Sequence, residues 1–239
     1  MMKALLVNAL IPILWSTTAM AQLSFDDVRY EDIPTERIRD YIMTQRNQAE
    51  VDRFSELQAS CEDLEKLEDF EGFYHYEKKY LVKLPLTQVW SAYKRANPTE
   101  AWTTKKSTCG LMYERASDRI VYPRDTVNGV TIGQILYMDL NLIQGLYHMA
   151  TAFEITKVED ESGVFEVSYL ERGFTEGKQI VRMYETDKGY TRIVHQTFMR
   201  SGRKFRDKVL YPYFHNRLIN SFHRKMKHLA FRLSEPIAG

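Results

Sequence analysis

The stretch Lys204–Leu233, KFRDKVLYPYFHNRLINSFHRKMKHLAFRL, decides the fold of this chain. From Leu210 onward, Leu210, Phe214, Leu218, Phe222, Met226 and Leu229 recur every three or four residues. That is the spacing of one apolar stripe on a helix of about five turns. Asn216, Asn220, Arg224, Lys225 and Lys227 fill the other side. Proline lacks an N–H and clashes with the preceding turn, so Pro212 fits only a first turn and places the start of the regular helix near Tyr211. A long amphipathic helix must lay its stripe on a face that other elements leave apolar.

Those elements read as strands. Phe73–Leu84 interleaves aromatic and β-branched residues with charges and ends at Pro85. Leu86–Ala96 then places Leu86, Val89, Trp90 and Tyr93 on one helical face, and a second short piece runs on through Trp102. Strand-like stretches follow at Gly110–Pro123 (with a break at Ser117-Asp118), Thr131–Leu142, Leu146–Glu159, Gly163–Glu171, Gln179–Thr186 and Gly189–Arg200. Glu161-Ser162-Gly163 and Asp187-Lys188-Gly189 are hairpin turns between alternating runs, which predicts an antiparallel meander. The fold class is therefore α+β: a curved antiparallel sheet of six or seven strands gripping a long C-terminal helix.

The first 21 residues carry a short positive start, an apolar core too short to span a bilayer, and Ala19-Met20-Ala21 as a cleavage site. They predict a signal peptide, a mature start at Gln22 and a periplasmic or secreted protein. Pro34–Phe70 reads as a helix with a thin apolar stripe, an extension over residues 22–72 packed outside the main domain of residues 73–239. Gln22–Gly72 holds 15 acidic and 6 basic residues, whereas Arg200–Arg232 holds 10 basic and one acidic. Two solvated faces lying near each other would account for this. The near-neutral total argues against nucleic acid as a partner. In an oxidising compartment the isolated pair Cys61 and Cys109 predicts one disulfide tying the extension to the domain. None of the six histidines stands at ligand spacing from a Cys or Asp, so neither a metal nor another cofactor is expected.

The order of strand, short helices, meander and final helix resembles the START-domain and polyketide cyclase-like helix-grip superfamily (SRPBCC). The likeness is carried by EKKYLVKLPLTQVWSAY (Glu77–Tyr93), GYTRIVHQTFMRSG (Gly189–Gly202) and YPYFHNRLINSFHRKMKHLA (Tyr211–Ala230), and it spans Phe73–Leu233. It implies a cavity between the sheet and the last helix that holds an apolar small molecule or lipid. Members of the superfamily include lipid carriers, ligand sensors and a minority of cyclases or hydrolases.

Register makes Trp90, Tyr93, Leu136, Met138, Tyr169, Phe214, Leu218 and Phe222 the candidates for such a cavity, each of which could equally be plain core. His195 shares a strand face with Ile193 and Thr197 and could orient a ligand, or act as a buried base near Tyr169 or Glu171. Ser91, Ser168, Ser201 and Ser221 lie in no nucleophile motif, and no phosphate-binding glycine loop is present. The expected function is exported, non-covalent binding or transport of a hydrophobic small molecule. The alternatives are a cyclase or hydrolase in the same cavity, or an interaction protein with a filled core. Arg203-Lys204-Phe205-Arg206 and the basic helix add an expectation of transient contact with an anionic membrane surface.

Overall fold

The computed structural model describes residues 22–61, 72–127, 129–142, 145 and 147–234. From Tyr74 onward the chain forms one antiparallel sheet of eight strands. They are β1 (Tyr74–Val82), β2 (Ser107–Glu114), β3 (Arg119–Val121), β4 (Gln134–Asn141), β5 (His148–Glu159), β6 (Val164–Tyr169), β7 (Glu176–Glu185) and β8 (Thr191–Arg200). Their spatial order is β1-β8-β7-β6-β5-β4-β2-β3. The expected count of six or seven falls short because Gly110–Pro123 is two strands. A single turn at Arg115–Ser117 separates them, and Asp118 makes the corner in the left-handed region (φ 44°). The two expected hairpins are present, with Gly163 (φ 58°) and Gly189 (φ 68°) taking the positive φ that a residue without Cβ adopts freely.

α2 (Leu86–Arg95) and α3 (Pro98–Ala101) follow β1. The side chain of Asn97 caps α3 by accepting the Thr99 N–H at 3.0 Å. The last helix, α4 (Tyr211–Ser234), has an entry that differs from the expectation. The chain is already helical at Lys204 and passes through a widened π turn at Arg206–Leu210, so Pro212 lies beyond the first turn. In the π turn the Tyr211 N–H reaches back to the Arg206 carbonyl. The same spacing would have residue 212 donate to the Asp207 carbonyl, which proline cannot do. The Tyr76 hydroxyl from β1 supplies that donor at 2.5 Å. The buried Asp207 carboxylate anchors the entry from the other side, accepting the Ser201 N–H at 3.0 Å.

Alternation along the strands gives the sheet two apolar faces, and each has its own core. The inner face (Met112, Leu136, Met138, Phe153, Phe165, Val181, Ile193) packs against α2, α3 and α4 through Val89, Trp102, Phe222, Met226 and Ala230. The outer face (Leu111, Tyr113, Ile135, Tyr137, Ala152) is covered by the N-terminal segment through Phe25, Ile33, Ile38, Tyr41, Ile42, Phe54 and Leu57. That segment is therefore a second layer of the domain. The long helix expected there ends at Ala49, where Glu50 turns left-handed (φ 55°); α1 is Glu36–Ala49. Residues 51–61 then run along the sheet, with the Ser60 N–H on the Tyr169 carbonyl at 2.7 Å and the Glu171 N–H on the Gln58 carbonyl at 2.9 Å. The remainder of the expected helix lies outside the described residues. The described part of the acidic segment, residues 22–61, sits on the opposite face of the sheet from the basic α4.

Two devices hold the layer down. Arg115 at the β2–β3 corner pairs with Glu154 of β5 at 2.7 and 3.0 Å, and the same guanidinium grips the carbonyls of Ser55 (2.8 Å) and Leu57. At Gly110, beside a register shift in β2, a Cβ would stand 2.5 Å from Ile38 Cδ1. A side chain there would have to displace the end of Ile38, with Pro34 Cδ only 3.1 Å away behind it.

The expected disulfide is absent: Cys61 and Cys109 are both free and buried. The Cys61 N–H bonds the Ser168 hydroxyl on β6, whereas Cys109 is on β2, with β5 and β4 between. Three inter-strand steps amount to about 14 Å, and a disulfide needs Cα atoms within about 7 Å. Thiol titration of the non-reduced protein should accordingly find two reactive cysteines on denaturation and none in the native state. Gly110→Val should cost about 1–3 kcal/mol by overpacking against Ile38, measured by urea unfolding. A neutral result would refute the close docking of α1.

Candidate functional site: a cavity under the start of the last helix

α4 fills the inner face unevenly. Around its C-terminal half the space is closed. Phe222 stacks on Trp102 with ring centroids 4.0 Å apart, and Trp102 meets Phe153 edge-on at 4.7 Å. Under its N-terminal half lies a cavity of about 300 Å³. Leu140, Leu142, Met149 and Thr151 form its sheet-side wall, and Leu210, Phe214 and Leu218 form the helix-side wall. Tyr147, Thr175 and Arg206 also border it, and Tyr169, Tyr211 and His215 give it one polar end. A smaller space of about 40 Å³ shares Tyr169, His215 and Leu218 and reaches Met138 and Gln179.

The polar end is the terminus of a chain of buried hydrogen bonds. Tyr93 O–H meets His223 Nδ1 at 2.7 Å, and His223 Nε2 meets His195 Nδ1 at 2.8 Å. His195 Nε2 meets Gln179 Oε1 at 3.0 Å, and the Gln179 amide donates to the Tyr169 hydroxyl at 3.0 Å. Tyr169 and Tyr211 share a hydrogen bond of 2.5 Å. His215 Nε2 joins from the side, 3.3 Å from Gln179 Oε1 and 3.4 Å from the Thr197 hydroxyl. The chain crosses from α2 through α4, β8, β7 and β6 and returns to α4, so buried polar groups stitch the helix to the sheet. Desolvation holds every member neutral. Burial pushes His215 and His223 down to about 3 and His195 well below its usual range. It also raises Tyr93, Tyr169 and Tyr211 above the ordinary phenol value.

The sequence candidates separate by position. Tyr169, Phe214 and Leu218 border the main cavity, and Met138 borders the smaller one. Trp90, Tyr93, Leu136 and Phe222 belong to the closed part of the inner core, outside the cavity walls. Trp90 directs its indole N–H to Asp160 at 2.9 Å. His195 is buried one step behind the cavity, reaching Tyr169 through Gln179. Tyr211, His215, Gln179 and His223 were not among the candidates. The signal for two of them was present. His215, Ile219 and His223 recur at i, i+4 and i+8 beside the apolar stripe, and all three are buried. The centre of the buried face runs along this row, which swings Leu210, Phe214 and Leu218 to the cavity side.

No sequence model of a protein family matches this chain, and no curated protein matches it. Among solved structures it is similar to norcoclaurine synthase from Thalictrum flavum in complex with dopamine and hydroxybenzaldehyde. The TM-score is 0.51 at 13% identity, over 69% of this chain and 90% of the other. A point mutant of the same enzyme with a transition-state analogue gives a TM-score of 0.50 at 14% identity, over 68% and 97%. Ara h 8.0201 gives 0.44 at 10% identity, over 68% and 98%. At this identity the likeness concerns the fold alone, an antiparallel sheet wrapped on a long C-terminal helix.

The buried histidines give stability a pH dependence of definite sign. Unfolded histidines bind protons near 6.5, whereas His215 and His223 in the folded chain do so only near 3. Between these values the unfolded state carries more protons, so stability falls as pH drops from 6.5 towards 3. Urea unfolding at pH 7 and midway through this window should show the loss. His215→Gln removes one such proton and should shrink it; an unchanged loss would mean that His215 is not held neutral.

Proposed function

We propose that this helix-grip chain binds a hydrophobic small molecule or lipid, without covalent chemistry, in the cavity between the sheet and the first half of α4. The observation that carries this reading is an apolar space of about 300 Å³ ending in one cluster of hydrogen-bonding groups. Apolar walls with a few convergent polar atoms are what a small-molecule site requires. Burial against Leu140, Leu142, Met149, Phe214 and Leu218 supplies affinity at roughly 25 cal/mol per Å² of apolar surface removed from water, and the polar end supplies orientation.

The protein acts outside the cytoplasm as a carrier, after removal of residues 1–21, which lie outside the described residues. The surroundings of the cavity support delivery at a membrane surface. Phe174, Phe205, Val209 and Tyr213 are exposed there, among the exposed cations Arg203, Lys204 and Lys208. Apolar side chains among cations suit an anionic bilayer, each cation near the surface contributing about 1 kcal/mol.

Native mass spectrometry of the protein from its own compartment, before and after organic extraction, should reveal a discrete extractable mass. Leu218→Trp, which fills the cavity from the helix side, should lower retention of that molecule at least tenfold while leaving the far-ultraviolet circular dichroism unchanged. An empty protein that also takes up no fluorescent fatty alcohol would refute the reading.

A further inference from the structure

The hydrogens of the buried chain can be followed from donor to acceptor, and they specify the chemistry of the ligand. With the Gln179 carbonyl facing His195, the His195 proton is on Nε2 and its Nδ1 accepts. His223 then donates from Nε2, and its Nδ1 accepts the Tyr93 proton. Beyond Gln179 the amide N–H donates to Tyr169, and the Tyr169–Tyr211 contact uses one of its two phenol protons and leaves the other at the cavity. We assign the donated proton to Tyr169, whose oxygen already accepts from Gln179, so that the spare one stays on Tyr211. Tyr211 borders the cavity. Reversing the whole chain would place the spare proton on Tyr93, in the closed core, where the described residues offer it no acceptor beyond His223. An unpaired donor there would cost about 1–3 kcal/mol. The direction that ends at Tyr211 is therefore the favoured one. Each link also polarises the next, which strengthens the last donor.

Charge narrows the ligand further. The three histidines of the chain are neutral, as are its phenols, so nothing at the polar end balances an ion. Among the described residues no Asp or Glu borders the cavity, and Arg206 is the one cation that does. Arg206 is already engaged. Its Nε donates to the Ser201 hydroxyl at 2.7 Å, its Nη2 to the Phe174 carbonyl, and Asp207 lies 4.0 Å away. A charged headgroup buried against Tyr211 would lose its hydration without a counter-ion.

The geometry points to an uncharged amphiphile whose single polar atom, a ketone, ester or alcohol oxygen, accepts a hydrogen bond from Tyr211. Its apolar body lies against Leu140, Met149, Phe214 and Leu218. This inference rests on the cavity being the binding site and adds the class of ligand that it selects.

Methyl octyl ketone and decanoate have similar apolar bodies and differ in charge at one end. Isothermal titration of the full chain with each, at neutral pH, should show the ketone binding at least tenfold more tightly. Tyr211→Phe, which keeps the ring that stacks on His215, should weaken ketone binding about three- to tenfold, the effect of losing one hydrogen bond, and leave decanoate unchanged. Decanoate binding as well as or better than the ketone would overturn the selectivity while leaving the cavity reading intact. Ketone affinity unchanged in Tyr211→Phe would overturn the role of Tyr211. Binding of neither compound would overturn both. Should the variant fail to fold, the comparison of the two ligands on the wild-type chain decides the matter alone.

Discussion

One helix cannot cover an eight-stranded sheet. Seven inter-strand steps span about 34 Å, and a helix with its side chains is about 10–12 Å across. Curvature narrows the gap without closing it, so the rest of the inner face needs other material. At one end the chain supplies it. α2 and α3 carry Val89, Trp90 and Trp102 against Phe153, Phe222 and Met226, and the core is closed there. Further along β4 and β5, no described residue of α2 or α3 borders the space, and Leu140, Met149 and Thr151 line the cavity. The cavity is thus a consequence of where the short helices were placed.

The outer face answers the same constraint differently. Its apolar residues would otherwise be exposed to water, and the N-terminal segment covers them with Phe25, Ile38, Tyr41 and Phe54. A sheet packed on both sides behaves as the wall of a rigid body, because strands held from behind cannot flex to fill the space in front. The Arg115–Glu154 pair matters for this reason. It joins β5 to the β2–β3 corner and fastens the backbone of Ser55 and Leu57 over both. The second layer so preserves a cavity that it never touches.

Much of this arrangement was legible in the chain. Strands, hairpins and the last helix follow from alternation, from turn residues and from a stripe of period 3.6. Other features depended on distances between elements, which spacing does not carry. Two cysteines look pairable until β4 and β5 are known to lie between them. The segment before β1 looks peripheral because its apolar residues are sparse along a helix. They become dense once Phe25, Phe54 and Leu57 are brought beside α1. Pro212 was expected to mark the first turn, because only local rules were available. A donor from Tyr76, 136 positions earlier, removes the penalty that those rules assume. Leu136, Phe222 and Tyr169 all read as inward-facing. Which of them meets empty space depends on the uneven filling of the sheet, a property of the assembled core.

The π turn stands at one wall of the cavity. Arg206–Leu210 is a widened turn leading into Pro212, which has no N–H to give, and Leu210 from this stretch is one of the cavity walls. What holds the stretch in place is side-chain chemistry: Tyr76 on the Asp207 carbonyl, Asp207 on Ser201, and Arg206 on Ser201 and Phe174. Bonds of this kind open locally at less free energy than a packed helix does. The C-terminal half of α4 is locked by the Phe222–Trp102 stack and by His223 on Tyr93 and His195. The two halves of the helix are thus held by different means, side-chain bonds to backbone at the entry and buried ring packing further on.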